Sequence, residues 1–238
     1  RVDGYYDAHG QVGRHLIDRS TPHFDQADAR RAAITDPEKL RSRALRIREV
    51  LLEAVGNLPA ERSTAPAQIV GEVDQSDYRI EKLVFESLPG VPVAANLYLP
   101  HDRQQPAPAI LLLCGHARHG KTGKRLQEVA SLLARNGFVV LVADPIGQGE
   151  RMQGIDRATG AQIVAWGTHE HSHLGLLCTL CGNNIARYMI HDDLSALDYL
   201  IQRPEVDSKR VGVTGNSGGG TRTCYLMTLD DRIAVAGE

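Results

Sequence analysis

Residues 211–229 read VGVTGNSGGGTRTCYLMTL. An apolar strand leads into Gly215-Asn216-Ser217-Gly218-Gly219, which fits the G-x-S-x-G pattern of a nucleophile elbow, and a helical stretch leads out. On so sharp a strand-to-helix turn, the residues two positions either side of the serine must be small, and Gly215 and Gly219 meet that need. We therefore predict Ser217 as a nucleophile at a helix N-terminus, where free amide N–H groups favour a developing anion.

A second loop, Gly115-His116-Ala117, directly follows an apolar strand. A hydrolase with such an elbow needs a backbone N–H from this loop, beside the N–H of the residue after the nucleophile. We predict His116 and Gly218 as these oxyanion-hole donors, with Ala117 as the alternate to His116. The imidazole of His116 could equally be an ordinary loop side chain that faces solvent.

Apolar strands alternate with helices through the second half of the chain, which predicts an α/β fold with a mostly parallel sheet and helices on both faces. The turn signal Leu88-Pro89-Gly90 separates two alternating segments, which predicts an antiparallel hairpin at the N-terminal edge of the sheet. The predicted strands are residues 78–86, 93–99, 109–114, 138–143, 211–214 and 233–236, and the predicted helices are residues 124–136, 184–202 and 218–229.

The first 67 residues are predicted to form an N-terminal segment that packs on the α/β domain of residues 68–238. Residues 1 to about 35 are polar and are interpreted as an irregular arm. A helix should follow, with Asp36 as its N-cap, Pro37 at its first position and Gly56 after its end.

Composition excludes several kinds of partner. The 238 residues carry a formal net charge of −2, so no electrostatic attraction to nucleic acid or to an anionic membrane surface is expected. No apolar run approaches the ~20 residues of a membrane span. The chain begins with Arg1 and not with Met, so the sequence does not distinguish a cytoplasmic from a secreted or periplasmic soluble protein.

Three alternating histidines, His169, His171 and His173, would share one side of an extended segment and so permit a metal site. We predict instead a packed loop in which one of them is hydrogen-bonded. Cys178 and Cys181 form a CxxC without a second pair. The sequence therefore predicts no metal and no cofactor.

A competing motif belongs to another class of protein. Residues 115–122 fit the phosphate-binding pattern G-x-x-x-x-G-K-[ST], and Asp144 after the next strand resembles the acid that helps to hold magnesium. Gly123 weakens the helix that should begin at the lysine, and this interpretation leaves the Ser217 elbow unexplained. Nucleotide binding through Gly115–Thr122 stays open as a third alternative.

Five segments after Ile110 carry a family resemblance: NGFVVLVADPIGQGER (136–151), THEH (168–171), DDLSALDYL (192–200), RPEVD (203–207) and GNSGGG (215–220). With them, the sequence from Ile110 onward resembles the acetyl xylan esterase-like and dienelactone hydrolase-like branch of the α/β-hydrolases. The resemblance implies a serine esterase with a Ser, Asp, His triad, in which Ser217 matches the nucleophile, and a small ester substrate, which could be an acetylated carbohydrate. Cys114 stands where the family's loop usually has His.

On this fold an acid and then a histidine should follow the serine. The 21 residues after Ser217 hold no His, and the last His is His191. Glu238 ends a predicted strand and is a candidate acid, although it could be an ordinary strand-end residue. We expect a missing C-terminal segment, including later strands, or a second chain to supply the acid and the His. The alternative is a catalytically incomplete fragment or non-catalytic module.

The remaining charged clusters are interpreted as structural. Glu150 and Arg151 are expected to pair with each other or with the N-terminal arm. Asp192 and Asp193 are expected early in a helix, where negative charge is favourable.

Overall fold

The computed structural model describes residues 8–61, 63–101 and 106–237. These residues fall into two compact units that divide after Ile47. The first unit holds helix α1 (Ala8–Ala32) and the beginning of helix α2 (Pro37–Val55). The second unit holds the rest of α2 and the α/β domain, and the predicted packing of residues 1–67 on that domain stays a prediction.

The prediction of an irregular arm before residue 35 is wrong, because α1 is a 25-residue helix. Gly13 and an interior Pro22 lower the intrinsic helix propensity of this stretch, which is why the sequence did not suggest a helix. Its large apolar side chains, such as Phe24, are exposed. Their pattern therefore does not mark a buried helical face.

Helix α2 begins and ends as predicted. The Asp36 carboxylate accepts a hydrogen bond from the Lys39 N–H at 2.9 Å, which is the N-cap contact. Pro37 occupies the first helical position. Gly56 follows the helix at φ +78°, a conformation that glycine adopts without strain.

In the described residues of the second unit, a seven-stranded sheet has the order β1-β2-β3-β5-β4-β6-β7. Strands β5, β4, β6 and β7 are parallel, and β1, β2 and β3 join them as an antiparallel extension. The strands are β1 (Gln68–Asp74), β2 (Tyr78–Leu88), β3 (Val91–Pro100), β4 (Ala107–Leu113), β5 (Val139–Ala143), β6 (Val206–Gly215) and β7 (Val235–Gly237). The helices that follow α2 are α3 (Lys124–Arg135), α4 (Thr168–Leu180), α5 (Ala186–Gln202) and α6 (Gly218–Leu229).

The predicted hairpin is formed by β2 and β3, where Leu88 pairs with Val91 across a turn that holds Gly90 at φ +73°. Strand β1 adds a third antiparallel strand outside it. The predicted α/β fold class is confirmed.

Both faces of the sheet are covered, which explains why the parallel strands are continuously apolar. In β4 the successive residues Leu111 and Leu112 belong to two different hydrophobic cores. Helices α5 and α6 contribute Leu197 and Leu226 to one core, and α3 contributes Ala130 to the other. Among the described residues, no helix is both long and apolar enough to span a bilayer.

Candidate active site

Ser217 occupies a strained turn between β6 and α6. Its backbone is at φ 58° and ψ −122°, and α6 begins at the next residue. A positive φ is uncommon for a residue with a side chain and is found where the surrounding structure imposes it. Ser217 is exposed at this turn, so its hydroxyl is open to a substrate.

Two glycines make the turn possible. A Cβ at Gly219 would lie 2.2 Å from the carbonyl oxygen of Leu113 in β4. A Cβ at Gly215 would lie 2.7 Å from the same oxygen and 2.7 Å from the carbonyl carbon of Gly219. The steric need predicted from the G-x-S-x-G pattern is therefore present: the first turn of α6 packs directly on the β4 backbone.

The loop after β4 lies against the Ser217 turn. A Cβ at Gly115 would be 2.5 Å from the carbonyl oxygen of Asn216 and 3.5 Å from Cβ of Ser217. Among the described residues, the backbone N–H groups of His116 and Gly218 have no hydrogen-bond partner. Two backbone donors beside the turn that presents the hydroxyl are thus free to bind another group.

Gln148 orients this loop, a role that the sequence did not suggest. The buried Gln148 donates from Nε2 to the carbonyl oxygens of Gly115 at 2.8 Å and Ala117 at 3.0 Å. In a trans peptide the C=O and the N–H point in opposite directions. Because Gln148 holds the Gly115 carbonyl, the His116 N–H of the same peptide points away from Gln148.

The three alternating histidines lie on a helix, not on the predicted packed loop. Helix α4 begins at Thr168, so His169 and His173 do not share a side with His171 as they would on a strand. As expected, one of them is hydrogen-bonded: His171 Nε2 lies 2.8 Å from the carbonyl oxygen of Ile146. Within the described residues, no group of His, Cys, Asp and Glu is placed to hold a metal ion.

The side chain of His116 is part of the site. Its Nε2 lies 3.3 Å from His171 Nδ1, and its ring covers the Cα of Gly218, where an added Cβ would lie 2.7 Å from Cε1. Burial, and then the neighbouring His171 and Arg222, lower the pKa of His116. The imidazole therefore favours its neutral form beside the elbow.

A buried ion pair between Arg222 and Asp193 stabilises the segments that form the elbow. Arg222 of α6 donates to the Asp193 carboxylate of α5 at 2.7 Å and to the carbonyl oxygen of Cys114 at 2.9 Å. The pair therefore ties α6 to α5 and to Cys114, at the start of the loop that follows β4. Burial raises the pKa of Asp193 to about 6, and the nearby Arg222 opposes this rise.

The raised pKa of Asp193 predicts how the stability of an Asp193→Asn variant, relative to wild type, depends on pH. Because the folded state binds the Asp193 proton more readily than the unfolded state, the stability that it contributes is largest below about pH 4 and falls as the pH rises through about 6. The stability deficit of the variant is the free energy of unfolding of wild type minus that of Asp193→Asn. This deficit should be about 2 kcal/mol larger at pH 4.5 than at pH 7. Urea denaturation at both pH values measures it.

Asp207→Asn is the matched control, because hydrogen bonds from Arg210 and the Lys209 N–H lower the pKa of Asp207. The stability deficit of Asp207→Asn relative to wild type should therefore become smaller, not larger, on acidification. An Asp193→Asn deficit that is constant or shrinks at pH 4.5 would show that the Arg222 pairing outweighs burial.

Two cavities meet at the loop that follows β4, at Gly115 and His116. A cleft of about 550 Å³ runs from Ser217 and Asn216 along α3 to Arg125 and Val129. A smaller cavity of about 190 Å³ lies on the side of Gly218 and has His116, His171 and Arg222 in its wall. The elbow therefore has space on two sides, one wide and one narrow.

Residues 60–237 match the family model for acetyl xylan esterase (AXE1). The chain belongs to the acetyl xylan esterase family. It is similar to YtaP of Bacillus subtilis (strain 168), assigned as a hydrolase, with 26% identity over 79% of this chain and 61% of the relative. The predicted resemblance to the acetyl xylan esterase-like branch is confirmed.

Solved structures share the fold of this chain. A Bacteroides fragilis protein assigned as an acetyl xylan esterase has a TM-score of 0.70 and 19% identity, over 85% of this chain and 54% of that protein. Methylesterase BT1017 has a TM-score of 0.68 and 26% identity, over 87% of this chain and 42% of its own length. The chain thus spans between two fifths and two thirds of the length of each of these relatives.

The nucleotide-binding alternative does not fit this family or this geometry. Lys121 Nζ, which would have to reach a phosphate, is buried and pairs with Asp144 at 2.6 Å and with Glu150. The lysine and the acid expected to hold magnesium are therefore paired directly with each other. A short 3₁₀ turn ends at Thr122, and α3 begins only at Lys124.

The other predicted polar residues are placed differently from expectation. Arg151 pairs with Asp192 at 2.6 Å, not with Glu150. Asp192 and Asp193 lie buried in the middle of α5, where packing against Arg151 and Arg222 decides their role. His191 is buried and bonded to the carbonyl oxygen of Ser87, and the candidate acid Glu238 lies outside the described residues.

Proposed function

We propose that the protein containing this chain is a serine hydrolase that cleaves small carboxylic esters through an acyl-enzyme on Ser217. The observation that carries the proposal is the position of Ser217. Its side chain is exposed on a turn at φ 58°, and the Gly115 backbone packs against it. A carbonyl carbon attacked there would develop its negative oxygen between the unpaired N–H groups of His116 and Gly218.

The reaction follows from these placements. The Ser217 oxygen attacks the ester carbonyl as its proton passes to a base, and the two amides hold the resulting oxyanion. Collapse of this intermediate expels the alcohol, which takes up the proton, and leaves an ester on Ser217. Water then attacks that ester in the same way and releases the carboxylic acid.

We propose that the catalytic base and the acid of the triad come from outside the described residues. Among those residues, no side chain hydrogen-bonds to the Ser217 hydroxyl, and the nearby His116 and His171 are bonded to each other. A histidine and an acid from a further C-terminal segment or from a second chain would complete the triad. No cofactor is required for this chemistry.

The narrow cavity beside Gly218 suits the acyl group. At about 190 Å³ it is smaller than an ordinary ligand pocket of roughly 300–1,000 Å³, which favours a short acyl group such as acetyl. The alcohol would then occupy the wider cleft along α3. Because the chain belongs to the acetyl xylan esterase family, an acetylated carbohydrate is the substrate class that we propose.

A series of p-nitrophenyl esters with acyl groups of increasing length tests the proposal on the naturally expressed protein. We expect hydrolysis of p-nitrophenyl acetate, with kcat/KM falling roughly tenfold or more from acetate to octanoate. Absence of turnover with every ester would refute the proposed activity, and equal rates along the series would refute the assignment of the narrow cavity. Calorimetry with ATP and magnesium should give no binding heat, which separates this function from a nucleotide site.

A further inference from the structure

The hydrogen bonds of the two active-site histidines fix which nitrogen carries each proton. The carbonyl oxygen of Ile146 can only accept, so His171 Nε2, which lies 2.8 Å away, must carry a proton and donate. In a neutral imidazole the other nitrogen is then an acceptor. With both rings neutral, His171 Nδ1 accepts from His116 Nε2–H, at 3.3 Å.

His171 itself is held rigidly. It lies in the first turn of α4, where its own N–H donates to the Gly167 carbonyl oxygen at 2.9 Å. The Gly167 N–H in turn donates to the Gly147 carbonyl oxygen at 2.8 Å. The start of α4 and the segment of Ile146 and Gly147 thus form one hydrogen-bonded frame, and His171 projects from it toward the elbow.

The His116 ring connects this hydrogen-bonded frame to the Ser217 elbow. It lies over Gly218, so near that a Cβ there would lie 2.7 Å from Cε1 and 2.9 Å from Nδ1. Gly218 carries one of the two unpaired amides and His116 carries the other. The ring therefore bridges the two halves of the oxyanion hole, and its orientation depends on the bond to His171.

We propose that His171 is a positioning residue that holds the oxyanion hole in its working geometry through the His116 imidazole. This inference rests on the proposed esterase function. Gln148 and Arg222 fix the carbonyl oxygens of Cys114, Gly115 and Ala117, and the His171 bond fixes the side chain between them. Loss of that bond would leave the ring free to rotate away from Gly218, and Gln148 alone would then hold the peptide that carries the His116 N–H.

The effect belongs in kcat, because the oxyanion exists only in the transition state and the intermediate. His171→Phe should lower kcat for p-nitrophenyl acetate about 10- to 100-fold, less than the ~100- to 1,000-fold loss when a donor is removed outright, while KM changes less than about threefold. His171→Asn places an acceptor oxygen near the position of Nδ1 and should keep kcat within about threefold of wild type. His173→Ala, on an exposed side chain of the same helix, is the control that should leave both constants unchanged.

A second variant, His116→Phe, and the double variant test the same contact from its other side. His116→Phe keeps the backbone N–H but removes the imidazole donor, so it should resemble His171→Phe, and the double variant should lose no more than either single variant. Thermal unfolding must show that each variant is folded. Losses that multiply, a wild-type kcat in His171→Phe, or an Asn variant as slow as the Phe variant would overturn the proposal.

A readout independent of turnover separates this inference from the proposed function. Nitrogen-15 NMR of the imidazoles should show protons on Nε2 of both His116 and His171, and none on His171 Nδ1. If these tautomers are found but the Ser217→Ala variant hydrolyses esters as fast as wild type, the esterase proposal fails and the histidine geometry stands. If the tautomers differ, the positioning role fails whatever the activity.

Discussion

Replacement of Ser217 by alanine should abolish ester hydrolysis, with kcat/KM for p-nitrophenyl acetate falling by about 10³-fold or more in the naturally expressed protein. The change removes the atom that forms the acyl bond, and the described residues near the turn offer no second nucleophile in the same position. The free energy of unfolding should stay within about 0.5 kcal/mol, because the Ser217 hydroxyl is exposed and makes no hydrogen bond to a described side chain.

Ser172→Ala is the matched control for this prediction. Ser172 is also exposed and lies on α4 next to His171, and its hydroxyl donates to the Thr168 carbonyl oxygen of its own helix. Its loss should leave kcat/KM unchanged. A Ser217→Ala protein with more than about a tenth of wild-type activity would mean that another group carries the chemistry.

Replacement of Gly219 by alanine should have the largest effect on folding. The new Cβ would lie 2.2 Å from the Leu113 carbonyl oxygen and 3.0 Å from its carbonyl carbon, and both atoms belong to the backbone of a central strand. Backbone atoms cannot move aside as a flexible side chain can, so α6 must separate from β4. We expect a loss of about 3 kcal/mol or more in the free energy of unfolding, or no folded protein, even though alanine is the better helix former.

Gly71→Ala is the control, since a Cβ there would meet only the end of the Lys82 side chain, at 3.8 Å. Its stability should change by less than about 1 kcal/mol. Circular dichroism and chemical denaturation compare the two variants. A Gly219→Ala protein as stable as wild type would show that α6 does not need to approach β4 so closely.

The elbow could be predicted from sequence because its requirements are local. A strand, five residues with glycines at fixed positions and a helix specify the turn without knowledge of the rest of the fold. The capped helix α2 and the Leu88–Gly90 hairpin turn were predicted for the same reason. Each depends on residues within a few positions of one another.

The supporting contacts could not be predicted, because they join distant parts of the chain. Gln148 meets Gly115 and Ala117 across more than 30 positions, and Arg151 meets Asp192 across 41. Helix α4 was missed because its alternating histidines suggested an extended segment. The side-chain role of His116 emerged only when α4 placed His171 beside it.

The central claim is that the chain bends at Ser217 so that its hydroxyl becomes the nucleophile beside the His116 and Gly218 amides. Reaction of the naturally expressed protein with a fluorophosphonate, followed by tryptic peptide mapping, tests this claim most directly. We expect one adduct, on Ser217 in the peptide of residues 211–222, and no labelling of Ser217→Ala. An unlabelled wild-type protein, or an adduct on another serine, would contradict it.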